Sequence, residues 1–78
     1  MNKHFRSLGT LLGKRVRALR KEMGISQEEL AFRAEIDRTY ISQIERGIGN
    51  PSLLVLFKIG SVLGVTVPDL FERLGGER

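Results

Sequence analysis

With 78 residues, 41% of them hydrophobic, the chain is one small domain near the lower limit at which a single core sustains itself. It has no cysteine, which excludes a disulfide framework, a thiolate metal site and a thiol nucleophile; one histidine and no paired-carboxylate or glycine-rich phosphate motif argue against an enzyme. The net charge is +4, and Lys3, Arg6, Lys14, Arg15, Arg17, Arg20 and Lys21 all precede the first acidic residue, Glu22. Such a basic half is either the footprint of a nucleic-acid binder or a solvated helix whose cations suit its C-terminal dipole. No apolar run approaches the ~20 residues of a membrane span, and the N-terminus lacks the apolar stretch of a signal peptide. A soluble, cytoplasmic protein without membrane contact is expected.

Residues 1–7 read as a flexible arm, in which Lys3 and Arg6 either follow a neighbouring groove or are disordered, and His4 has no second ligand nearby. The first helix is predicted over 8–23, with Ser7 or Thr10 as N-cap and Gly24 as its stop. Leu8, Leu12, Val16, Leu19 and Met23 form one narrow stripe at helical spacing, flanked by Arg15 and Arg20. Ser26 and Glu29 form an S-x-x-E capping box that opens a second helix over about 27–34. Leu30, Ala31 and Ala34 supply its buried side, and the two alanines let another helix come close. Asp37 is the natural N-cap of a third helix over about 38–46 that stops at Gly47.

Ile48-Gly49-Asn50-Pro51 is a turn, after which Ser52 caps a fourth helix over 53–63. That helix is apolar nearly all round: Leu56, Ile59 and Leu63 suit a core, and only Lys58 and Ser61 make a polar face. Such a helix needs cover on more than one side. Gly64 ends it, and Thr66 and Asp69 form a second capping box with Pro68 early in a short fifth helix over 67–74. Residues 75–78 should fray. The expected fold is all-α, one compact domain of five helices over 8–74. Leu54, Val55, Phe57, Val67, Leu70, Phe71 and Leu74 are the candidate contact with a second copy; packing within the monomer and binding of another protein are the competing uses of that surface.

The third helix carries the chemistry. At 100° per residue Thr39, Ser42, Gln43 and Arg46 fall together, with Arg38 beside them, opposite an apolar stripe of Ile41, Ile44 and Ile48. Arg pairs bidentately with guanine, Gln with adenine, and Thr offers a hydroxyl or methyl to thymine. A helix so equipped and braced by a preceding helix has the geometry of a DNA recognition helix, which outweighs the reading as an ordinary surface helix. Gln27, at the start of the second helix, either contacts a phosphate or caps. Asn50 and Ser52 offer the same chemistry before the fourth helix, with Ser52 better suited to capping; Tyr40 either touches a phosphate or packs beside the second helix. Glu45 lies inward between Ile41 and Ile48, where a carboxylate needs a partner, and Arg20 is the candidate. No metal, cofactor or small-molecule ligand is expected; the expected partners are double-stranded DNA and a second copy of the chain.

Leu12-Gly13-Lys14-Arg15-Val16-Arg17-Ala18-Leu19-Arg20, Ser26-Gln27-Glu28-Glu29-Leu30-Ala31, Tyr40-Ile41-Ser42, Ile44-Glu45-Arg46-Gly47, Asn50-Pro51-Ser52-Leu53 and Leu63-Gly64-Val65 together resemble the lambda repressor/Cro (XRE-type) helix-turn-helix family. The resemblance implies a five-helix DNA-binding domain that acts as a dimer. The compact length and the run Asp37-Arg38-Thr39-Tyr40-Ile41-Ser42 look like the controller proteins of restriction–modification systems, small dimeric regulators of their own operators. By that resemblance Arg38, Thr39 and Gln43 fall at base-reading positions, Gln27 at a phosphate position, and Arg20 and Glu45 at a structural ion pair. The corner between the second and third helices usually has Gly; here it is Glu35.

Overall fold

A computed structural model describes residues 2–72. Four α-helices, α1 (Lys3–Glu22), α2 (Gln27–Ala34), α3 (Arg38–Glu45) and α4 (Leu53–Leu63), precede a single 3-10 turn at Pro68–Phe71. Two boundaries differ from the sequence expectation. The expected arm is helical from Lys3 onward, because Asn2 is the N-cap: its side-chain oxygen accepts from the backbone N–H of His4 at 2.7 Å and of Phe5 at 3.3 Å. Ser7 and Thr10 are therefore interior to α1. The expected fifth helix is only the 3-10 turn among the described residues, so the fold has four α-helices rather than five.

The other ends follow the local chemistry. Ser26 Oγ accepts from Glu29 N–H at 3.0 Å, while the Glu29 carboxylate accepts from Arg33 Nε one turn on, so half of the expected box forms. Asp37 Oδ1 accepts from Thr39 N–H at 2.9 Å, and Ser52 Oγ from Val55 N–H at 3.1 Å. The Thr66–Asp69 box is reciprocal, at 3.1 and 3.3 Å. Arg15 Nε donates to the Asp69 carbonyl at 3.0 Å, tying α1 to the 3-10 turn.

The core draws on every element: Leu12 and Val16 of α1, Leu30 and Ala31 of α2, Ile41 and Ile44 of α3, Leu56, Ile59 and Leu63 of α4, and Leu70 of the turn. Leu8 and Met23, the ends of the predicted α1 stripe, are exposed and lie outside the core. α1 packs on α3 and on the 3-10 turn, and α2 packs on α3 and α4. Close approach of α1 to α3 depends on Gly13, where a Cβ would lie 2.4 Å from the Ile44 carbonyl oxygen and 2.9 Å from that of Glu45. Among the described residues no helix is long and apolar enough to cross a membrane.

Candidate nucleic-acid interface

The corner that aims α3 is built on strained backbone. Glu35 takes the left-handed conformation, with φ 59° and ψ 45°. Its N–H donates to the Phe32 carbonyl at 3.2 Å and that of Ile36 to the Ala31 carbonyl at 3.0 Å, the paired bonds of a Schellman stop. Ile36 packs against the core just past the stop, so the apolar contact holds a turn whose Cβ costs energy.

Beyond the corner Ile41 and Ile44 are buried, and the opposite face carries the predicted readers: Arg38, Thr39 and Arg46 exposed, Ser42 and Gln43 half-buried. Arg46 is the C-cap of α3. Ile48, expected on the inward stripe, is 49% exposed because the chain has already left the helix at the left-handed Gly47. It borders a shallow cavity with Phe5, Gly9 and Gly49.

Behind this face sits a carboxylate-centred network. Glu45 is the last residue of α3, with a side chain only 2% exposed. Arg20 of α1 grips it bidentately, Nε to Oε2 at 2.6 Å and Nη2 to Oε1 at 2.9 Å, and Arg20 Nη1 also donates to the Ile25 carbonyl at 2.9 Å. The bond to Glu45 raises the Arg20 pKa above its ordinary value, outweighing the burial that would lower it. Gln27 Nε2 of α2 is the third donor, on Glu45 Oε1 at 3.0 Å. The side chain expected at a phosphate thus has its amide engaged inside the protein. Sequence reasoning paired Arg20 with Glu45 but missed Gln27; the available signal was that a buried carboxylate needs more acceptor sites filled than one guanidinium fills.

The remaining expected positions divide. Ser52 Oγ is occupied as the cap of α4, Asn50 is exposed at the turn after α3, and Tyr40 is half-buried against the core. Of the expected apolar contact, Leu54 and Phe57 are each 61% exposed on α4, and neighbouring Leu53 is also exposed. Val55, Val67 and Phe71 are partly buried against the monomer's own core. Leu70 is fully buried there, which removes it from any interface. Leu74 lies outside the described residues. Among the described residues no cluster of His, Asp and Glu could hold a metal.

The helix-turn-helix family pattern matches residues 16–70 of the chain, α3 and the corner included. The chain belongs to the helix-turn-helix family. Within that family it is 48% identical over 63 residues to control protein C.BamHI of Bacillus amyloliquefaciens, a match over 80% of this chain and 78% of that protein. The restriction-modification controller protein C.AhdI from Aeromonas hydrophila has a similar structure, with a TM-score of 0.78 at 40% identity, covering 81% of this chain and 96% of that one. SinR, the master regulator for biofilm formation, solved in complex with DNA, gives a TM-score of 0.72 at 43% identity, over 76% and 95% of the two chains. The likeness to XRE-type helix-turn-helix proteins, and among them to restriction–modification controllers, therefore holds in sequence and in structure.

Proposed function

We propose that this protein is a cytoplasmic, sequence-specific transcriptional regulator of the restriction–modification controller type, which binds duplex DNA as a homodimer on a near-palindromic operator. The observation that carries the reading is the outer face of α3, where Arg38, Thr39, Ser42, Gln43 and Arg46 stand opposite the buried Ile41 and Ile44. Such a face entering a major groove reads base edges through bidentate Arg and Gln contacts. Around it, the start of α2 at Gln27, Tyr40, and the turn at Asn50 and Ser52 are the proposed backbone contacts, where helix N-termini favour phosphate. No catalytic group, metal or cofactor belongs to this reading.

The exposed Leu54 and Phe57, with Leu53, are the proposed pairing surface. Two α3 helices would then enter successive major grooves about 34 Å apart. Selection of binding sites from random duplexes by the purified protein tests the proposal. The expected result is enrichment of a two-fold symmetric sequence whose half-site centres lie one helical turn apart. Recovery of no preferred sequence would overturn the regulator reading, and a single asymmetric half-site would overturn the homodimer.

A further inference from the structure

We infer that Gln27 is a positioning residue, whose hydrogen bond to Glu45 couples the DNA-backbone end of α2 to the orientation of the reading helix α3. The inference rests on the DNA-binding reading above. Three helices converge on one buried carboxylate: Arg20 from α1, Gln27 from α2 and Glu45 itself from α3. The orientation of the Gln27 amide is chemically forced, because its oxygen turned toward Glu45 Oε1 would set two acceptors against each other. One amide N–H is therefore committed inward. Gln27 also opens α2, whose first turn has backbone N–H groups without helical partners; Ser26 Oγ takes that of Glu29, and such a terminus favours a phosphate.

Glu45 closes α3 about two turns beyond Arg38 and just under one turn beyond Ser42. A small roll of α3 about its axis would swing Arg38, Thr39 and Gln43 together relative to α2. Arg20 resists that roll from the α1 side, and its bond to the Ile25 carbonyl holds the corner between α1 and α2. Gln27 is the donor that resists it from α2 itself. Phosphate contact at the start of α2 and base contact along α3 are thereby held in one register. A residue acting only as a phosphate ligand would add affinity for any duplex; a positioning residue adds discrimination between duplexes.

The test compares the unaltered chain with Gln27→Met, which keeps side-chain length and removes the donor. Binding is measured on the selected operator and on a scrambled duplex of equal length, each over a salt series. The expected outcome is at least a ten-fold loss on the operator, less than a two-fold change on the scrambled duplex, and an unchanged salt slope. Equal fold-loss on both duplexes would make Gln27 a plain phosphate contact and overturn the inference; a neutral amide neutralises no phosphate, so the salt slope is unchanged in either case. No loss on either duplex would overturn it too. Gln27→Asn provides a second line, because it keeps an amide, is one methylene too short to reach Glu45 and leaves the Arg20–Glu45 pair intact; thermal melts confirm that it folds. It should lose operator affinity as Gln27→Met does, and full retention of operator affinity counts against the coupling. If the unaltered chain does not discriminate between the duplexes, the regulator reading falls and takes this one with it; discrimination by the unaltered chain with equal losses in Gln27→Met overturns the coupling alone.

Discussion

At the residue scale two side chains hold the reading helix against opposing costs. Glu35 sits in left-handed backbone at the corner, where a Cβ costs about 1 kcal/mol. Gly would relieve that strain but enlarge the freedom of the unfolded chain. Glu35→Gly should therefore be neutral or stabilising by up to about 1 kcal/mol in urea or thermal melts. A clear drop in melting temperature would show that the Glu35 side chain stabilises the fold in some further way. Arg20 is the opposite case. Its removal leaves Glu45, 2% exposed, as a buried carboxylate with only Gln27 as donor. Arg20→Ala should cost about 3–5 kcal/mol, since losing one partner of a buried pair strands the other charge. A cost below about 1 kcal/mol would indicate that water reaches Glu45 and that the pair behaves as a surface one. The pair could be expected from sequence because Glu45 falls on an otherwise apolar face. Gln27 was less visible, because Arg20 already supplied a partner for that carboxylate and helical spacing does not mark a neutral amide at the start of α2 as a further donor.

At the element scale the helices that carry the reader were legible and the two ends of the chain were not. Ser26, Asp37 and Ser52 are N-caps in the structure as their positions suggest, since each precedes a helix with a buried face. Asn2 is an equally good cap, but Phe5 and Leu8 in the turns it opens are exposed and outside the core, so no core-facing period announces them. At the other end the capping box forms, but the Asp69 carbonyl accepts from Glu72 N–H at 3.2 Å and from Arg15 Nε. The first of these is an i to i+3 bond, the closure of a 3-10 turn rather than an α-helix. The hydrogen bonds from Thr66 lower the Asp69 pKa, with Arg15 adding to the effect. A carboxyl whose folded pKa is depressed contributes stability above its unfolded pKa, which is lost as the pH falls through the folded value. Asp69→Asn should thus melt below the unaltered chain at neutral pH, with the gap closing only in acid below the usual aspartate range. A gap that does not change with pH would mean that the charge does not matter. Between α1 and α3, Gly13→Ala places a methyl against two carbonyl oxygens of α3. The expected cost is about 1–3 kcal/mol, with weakened operator binding as α3 is pushed away; unchanged stability and binding would refute this account of the contact.

At the scale of the whole molecule, the basic half of the sequence is less uniform than it reads. Arg15 and Arg20 are used inside the protein, while Lys3, Arg6, Lys14, Arg17 and Lys21 are exposed. The apolar excess of α4 was legible as an excess but not in detail. A helix apolar on nearly all sides has no period to separate Leu54 and Phe57, which are open, from Val55, which the core covers; nor did the sequence reveal that Leu70 fills that core. If the open strip pairs two copies, Phe57→Glu should give a folded monomer by sedimentation. It should also bind the operator far more weakly, because the second half-site contact is no longer intramolecular. An unaltered chain that sediments as a monomer at micromolar concentration would defeat the pairing, and stable association with a different chain through the same strip would favour an antitoxin-type or phage-type regulator.

The length of α1 gives this arrangement a mechanical meaning. Its 20 residues rise about 30 Å, against a longest molecular dimension of 31 Å. One unbroken rod is thus nearly as long as the molecule, bolted through Gly13 and Arg20 to the reading helix and through Arg15 to the turn beyond α4. In the proposed pair two such rods would form a caliper whose jaws cannot slide. The distance between half-sites would then be measured by the rigidity of the protein rather than by any contact with the base pairs between them.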